Sequence, residues 1–278
     1  MVVNDLGGGL KGEAGGGDGK RVADLVVDEI VAAGGAAVAN YDSVENGASI
    51  VTTAIEAFGR VDVVVNNAGI LRDASFKRMA DADWDMIVRV HLNGAYSVTK
   101  AAWPHMSEQN YGKVLTVSSP AGLYGNVGQA NYSMAKSGLN GLMQTLAKEG
   151  ERSNIMANSI APLAGTRMLA TVMPEDLIEA LKVEHIVSLV VYLCHEECEE
   201  TGSIFECSGG TYQKVQLARA EGYVHDLTQG DPSAEDIRDN FEAIIDLDEA
   251  EVADGGSMDG VANVMEAVEN GWDPKAKL

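Results

Sequence analysis

The apolar positions of this chain follow two alternating periods. Short β-branched runs are each followed by a longer stretch with an apolar stripe at helical spacing. The runs at 1–5, 36–40, 61–65, 113–118, 155–160 and 203–207 read as strands, the last of them closing the series. Between them, 18–33 predicts an amphipathic helix closed by Gly34 and Gly35. A second helix carries Val44, Ala48, Val51, Ile55 and Phe58 on one stripe. A long helical region over 83–108 contains Pro104, which is expected to kink or interrupt it. Helices over 129–150, with Ala135, Leu139, Leu142 and Leu146 on its apolar face, and over 183–195 complete the pattern. Strands alternating with helices of this length predict an α/β protein with a doubly wound parallel sheet covered on both faces.

In such sheets ligands lie beyond the carboxyl ends of the strands. Those ends carry Asp5, 40–43, 66–69, Ser118 with Ser119, and 161–166, so the polar and glycine-rich punctuation gathers at one edge. The richest stretch is 118–136, SSPAGLYGNVGQANYSMAK. Tyr132 and Lys136 stand four apart and share a helix face. A lysine beside a phenol is expected to lower its pKa and make it a proton donor or acceptor near neutrality. Ser119, delivered from a strand end, can hydrogen-bond the same substrate oxygen. Three groups converging on one oxygen suit carbonyl–alcohol redox chemistry.

Composition narrows the picture. At 278 residues the chain can form one large α/β domain, or a domain with an appendage. No apolar run reaches the roughly 18 residues needed to span a bilayer. A net charge of −22 argues against nucleic acid as a partner. Half of that charge lies in 229–278, which holds fourteen acidic and three basic residues, so the division is read as a domain over 1–228 and an acidic, linker-like tail over 229–278. Within the tail, DPSAEDIRDNF reads as a helix start. Cys194, Cys198 and Cys207 read as free thiols. Cys194, His195 and Cys198 have helical spacing, but no second ligand cluster accompanies them, and no metal is expected.

Gly7, Gly9 and Gly12 satisfy G-x-G-x-x-G after a strand and before a helix. The acidic residue of that fingerprint should follow by about 20 positions, whereas Asp5 precedes the glycines. A flexible linker is the preferred reading.

With YxxxK, NNAG and the serine thirteen positions before the tyrosine, the chain resembles the short-chain dehydrogenase/reductases, whose fold is Rossmann-like. The segments VVNDLGG, VANYDSVENG, FGRVDVVVNNAGILRD, GNVGQANYSMAKSG and TVMPEDL resemble, within that family, the (3R)-hydroxyacyl-CoA dehydrogenase region of peroxisomal multifunctional enzymes of type 2, especially the fungal ones. The resemblance runs from Val2 to about Phe205 and weakens beyond. It implies NAD-dependent oxidation of (3R)-3-hydroxyacyl-CoA in β-oxidation, with Tyr132 as acid/base, Lys136 on the nicotinamide ribose and Ser119 orienting the substrate oxygen. It further implies Asp5 on the adenosine ribose, favouring NAD over NADP. Ser43 and Val44 then lie beside the adenine, Asn67 near the ribose, and Ala164, Gly165, Thr166 and Arg167 on the loop closing over the nicotinamide. A homodimer is expected by the same analogy.

Three departures qualify the resemblance. It begins at the family's second strand, so the first strand, the T-G-x-x-x-G-x-G loop and the first helix have no counterpart after Met1. His91 stands in VHLNG where most of the family has asparagine, and 208–229 departs from the pattern. A generic short-chain reductase and a catalytically impaired truncated copy are the competing readings. The chain closes on Ala276, Lys277 and Leu278, a variant of the Ser-Lys-Leu peroxisomal address, which implies an import receptor as partner.

Overall fold

A computed structural model describes residues 1–7, 21–164, 180–227 and 230–253, with Val261 and Met265. The chain divides into two units, Met1–Val215 and Gln216–Leu278.

In the first unit, strand β1 (Val2–Asn4) leads to helix α1 (Val22–Ala32) and strand β2 (Val38–Asn40). A single tight turn, Val44–Asn46, opens helix α2 (Gly47–Phe58), which leads to β3 (Val63–Asn66). Helix α3 (Asp81–Ile87) passes through a π-helical turn, Val88–Asn93, into α4 (Gly94–Gln109). Then come β4 (Gly112–Val117), the short α5 (Pro120–Tyr124), α6 (Ala130–Gly150) and β5 (Ile155–Pro162). Helix α7 (Glu184–Cys194) and the pair β6 (Ile204–Ser208) and β7 (Thr211–Val215) complete the unit.

The strands form two sheets. β1 and β2 pair in parallel, and a five-stranded sheet runs β3-β4-β5-β6-β7, parallel except for the last pair. Its two faces are packed by alternate residues of the same strands. Val64, Val114, Ile155 and Ala157 meet α2, α4 and α6 through Val51, Ala102, Met106 and Met143. Leu115 and Ile160 meet α7 through Ile186 and Leu193. Lys113 is 3% exposed on this sheet, and its ammonium donates to the Cys198 carbonyl.

Three expectations change. The interruption of the long helical region is the π turn at 88–93; Pro104 lies inside an unbroken α4. The buried stripe of α2 is Gly47, Ile50 and Val51, while Ala48 and Phe58 are exposed. Gly47 sets that rotation, since a Cβ on it would fall 2.3 Å from the Ser97 carbonyl carbon, and only a glycine lets α2 and α4 approach so closely. The strand near 203–207 is not the last, because Gly209 and Gly210, both at positive φ, turn it into an antiparallel hairpin with β7. The expected α/β architecture with a parallel sheet holds, the β6–β7 pair being its antiparallel exception among the described residues.

In the second unit, β8 (Ala218–Arg219) pairs antiparallel with β9 (Glu251–Val252), and helices α8 (Ala234–Asp239) and α9 (Phe241–Ile245) lie between them in sequence. Ser233 and Asp236 form a reciprocal capping box at the start of α8.

Candidate active site

Ser119 is the last residue before α5 and caps it, its hydroxyl accepting from the Ala121 N–H at 3.2 Å. Tyr132 and Lys136 lie one turn apart on α6, as their spacing requires. The Ser119 hydroxyl is near enough to the Tyr132 phenol to favour its ionised form, and the Lys136 ammonium lies 5.5 Å from the centre of the tyrosine ring. All three predicted catalytic side chains are therefore brought to one place.

Lys136 is 3% exposed, and its Nζ donates to the Val117 carbonyl at 2.6 Å. Burial pulls its pKa down to about 8. The phenol of Tyr132 moves the opposite way from the sequence expectation. Desolvation raises it, the Ser119 hydroxyl pulls it back and the Asp73 carboxylate raises it further. The lysine's charge is spent on a strand-end carbonyl, so loss of solvent governs the phenol instead.

Neighbouring residues hold this arrangement. Asn131 is fully buried; its Nδ2 donates to the Arg72 carbonyl at 3.1 Å and its Oδ1 accepts from the Tyr132 N–H at 2.8 Å. Gln129 donates to the Asp73 carboxylate, and the Ala74 N–H donates to the Gly128 carbonyl, both clamping the 72–74 loop to the start of α6. Ser118 Oγ donates to the Lys136 carbonyl at 2.9 Å. The π turn carries His91 inward, where its ring meets Tyr132 edge-on at 5.4 Å between centroids. Its Nε2 lies 2.9 Å from the Ile70 carbonyl and 3.1 Å from the Ile70 N–H. Asp73 and Asn131 carried no sequence signal of their own; their roles depend on which loops meet α6.

A cavity of about 1480 Å³ opens along β1 and β3. Asp5, Ser43, Val44 and Asn67 all line it, so four of the predicted cofactor positions are brought together. Asp5 follows β1, and its carboxylate accepts from the Gly7 N–H at 2.6 Å. Ser43 caps the 44–46 turn, accepting from the Glu45 N–H, and Val44 is seated against Gly94, where a Cβ would come within 2.5 Å of it. A carboxylate able to accept from two hydroxyls, beside an apolar Val44 and a polar Ser43, is a donor set that fits the adenosine half of a dinucleotide. The cavity reaches Gly69, Ile70 and His91, but its lining does not include Ser119, Tyr132 or Lys136. Ala164 packs against the Leu115–Ile160 cluster. Gly165, Thr166 and Arg167 lie outside the described residues, as do Gly9, Gly12 and the last three residues.

The family model described as short chain dehydrogenase matches residues 20–177. Peroxisomal multifunctional enzyme type 2 of Mus musculus is 55% identical over 250 residues, covering 90% of this chain and 34% of that protein. The chain thus spans about a third of the length of that curated relative. The solved structure of full-length peroxisomal multifunctional enzyme type 2 from Drosophila melanogaster superposes with a TM-score of 0.79 at 39% identity, over 89% of this chain and 43% of the other. The crystal structure of a short chain dehydrogenase from Mycobacterium avium superposes with a TM-score of 0.74 at 36% identity, over 88% and 87%.

Proposed function

This chain belongs to the short chain dehydrogenase family, and on that premise we propose that it oxidises (3R)-3-hydroxyacyl-CoA to 3-ketoacyl-CoA with NAD in peroxisomal β-oxidation. The observation that carries the reading is the convergence of Ser119, Tyr132 and Lys136 at the carboxyl end of β4. The family uses a nicotinamide dinucleotide, which when bound supplies the hydride acceptor. Asp5, Ser43, Val44 and Asn67 would hold its adenosine half, and the Asp5 carboxylate favours free ribose hydroxyls over a 2′-phosphate.

Tyr132 acts from the phenolate and takes the proton of the substrate hydroxyl. Ser119 is the group that favours that form, since its hydroxyl opposes the effect of burial on the phenol. The same hydroxyl stabilises the substrate oxygen as charge develops. Lys136, buried and anchored on Val117, holds a positive charge near the ring and orients the cofactor ribose.

Tyr132→Phe tests the assignment. Turnover should fall by roughly 10²–10⁴ with the melting midpoint nearly unchanged, and retained activity would refute it. Comparing the (3R) and (3S) acyl-CoA substrates with a simple secondary alcohol separates this reading from a generic reductase. The peroxisomal location rests on the names of the relatives, together with the terminal Ala-Lys-Leu as address for an import receptor. Fusing the last twelve residues to a reporter and finding it diffuse in the cytosol would remove that signal. A homodimer belongs to the same proposal.

Titration with NAD tests the same reading: binding is expected, and no binding at millimolar cofactor would overturn it.

A further inference from the structure

The loops that bracket Tyr132 differ in charge from the rest of the chain. Residues 70–79 and 119–132 hold three basic side chains, Arg72, Lys77 and Arg78, and one carboxylate, Asp73, in a chain whose net charge is −22. Arg72 is paired with Asp83 at 2.8 Å, and Asp73 accepts from Gln129 at 2.8 Å. Lys77 and Arg78 are exposed, and among the described residues neither enters an ion pair. Neither lines the cavity around Asp5 that fits the dinucleotide.

Phe76, Lys77 and Arg78 form one tight turn, closed by the Arg78 N–H donating to the Ser75 carbonyl at 2.7 Å. Phe76 is 78% exposed, the most exposed Phe, Tyr or Trp among the described residues. A ring left in water beside two unpaired cations gains from a planar, anionic partner. The turn is also tied to the catalytic tyrosine. The Ala74 N–H donates to the Gly128 carbonyl at 2.9 Å, and the Arg72 carbonyl accepts from Asn131, the residue before Tyr132. Four residues of chain span at most about 14 Å, so Arg78 stays within that reach of the clamp at Ala74.

We propose that the turn Phe76–Arg78 receives the nucleotide end of the acyl-CoA substrate, with Lys77 and Arg78 on its phosphate oxygens and Phe76 against its adenine. The proposal rests on the hydroxyacyl-CoA reading of the site. A substrate carrying several phosphates is repelled by a chain of this net charge, so a local cationic site beside the reacting centre favours its docking. The two cations suit phosphate in different ways, the guanidinium as a bidentate fork and the ammonium as a point charge. An exposed ring offers a stacking face to a base. A pantetheine arm separates the reacting carbon from the phosphates, so their site belongs on a loop displaced from Tyr132 along the chain, as this turn is.

Free coenzyme A and pantetheine are titrated by calorimetry into the full chain, a Lys77→Glu, Arg78→Glu variant and a Lys148→Glu, Arg152→Glu control. The control makes the same change of net charge at the far end of α6, with Lys148 about 24 Å along the helix from Tyr132. Coenzyme A should bind the parent more tightly than pantetheine does. Reversing Lys77 and Arg78 should weaken coenzyme A about tenfold, Phe76→Ala should weaken it about fivefold, and the control should do far less. In turnover, the reversal should raise KM for (3R)-3-hydroxyacyl-CoA relative to the matching pantetheine thioester, with kcat moving less than KM. Equal losses in the two charge variants, equal affinity of the parent for coenzyme A and pantetheine, or an unchanged KM ratio would overturn the proposal. Binding is read here without turnover. A chain inactive on both thioesters yet selective for coenzyme A through Lys77 and Arg78 would remove the dehydrogenase reading and leave the docking site standing.

Discussion

A Cβ placed on Gly122 would lie 2.6 Å from the Cβ of Lys136 and 2.8 Å from its carbonyl carbon. Helix α5 therefore rests directly on the turn of α6 that carries the buried ammonium, and any side chain at 122 moves one against the other. Gly122→Ala should cost about 1–3 kcal/mol of stability and lower kcat more than it raises KM for the dinucleotide. Urea unfolding and steady-state kinetics on the same preparation check both parts. An unchanged kcat in a folded variant would show that Lys136 is not positioned through α5.

His91 gives the fold a pH dependence with a definite sign. Burial first, and then the Lys136 charge, lower its pKa from 6.5 to about 4, with the Ile70 backbone opposing. The unfolded chain thus binds the proton more tightly, so the contribution is present above about pH 6.5 and is lost as pH falls toward 4. Its size is on the order of 3 kcal/mol. Unfolding free energies at pH 7 and pH 5 should differ by less in His91→Asn than in the parent chain. Equal differences would place the acid sensitivity elsewhere.

Asp5 is expected to set cofactor choice. Its carboxylate is held by the Gly7 N–H at 2.6 Å at the rim of the cavity. Asp5→Ser should weaken NAD binding about tenfold or more, the order of a lost charge-assisted hydrogen bond, and narrow the preference over NADP. Fluorescence titration with both dinucleotides measures it. NAD affinity equal to that of the parent would detach Asp5 from the ribose.

The second unit has a local test. Ser233 Oγ accepts from the Asp236 N–H at 3.1 Å, and the Asp236 carboxylate accepts from the Ser233 N–H at 2.8 Å. Ser233→Ala should destabilise α8 by about 1 kcal/mol, seen as faster amide exchange over 234–239. Exchange in β4 should not change; a global effect would contradict a local cap.

Much of the fold was legible from period alone. The runs at 113–118 and 155–160 are strands because both faces of the five-stranded sheet are apolar, and the long stripe after Gln129 is helical for the same local reason. The i,i+4 spacing of Tyr132 and Lys136 and the cap at Ser119 likewise depend only on neighbours in the chain. Where a glycine replaced an apolar contact, the pattern misled. Gly47 contributes nothing to a hydrophobic stripe, yet it decides which face of α2 is buried. The hairpin at Gly209 and Gly210 had a signal in the two glycines themselves, which the alternation of strands and helices obscured.

Tyr132 and Lys136 were thus readable as a pair from spacing, since helix geometry places residues one turn apart on the same face, and Ser119 from its place at a strand end. Their protonation was not. Whether a phenol rises or falls depends on how much water it loses and where the nearby ammonium points, and those follow from β4, α5 and the 72–74 loop meeting α6. The same holds for the neighbours of each strand. A strand announces itself by local alternation, but its pairing is a relation between distant segments, and only the assembled sheet shows which strands lie side by side.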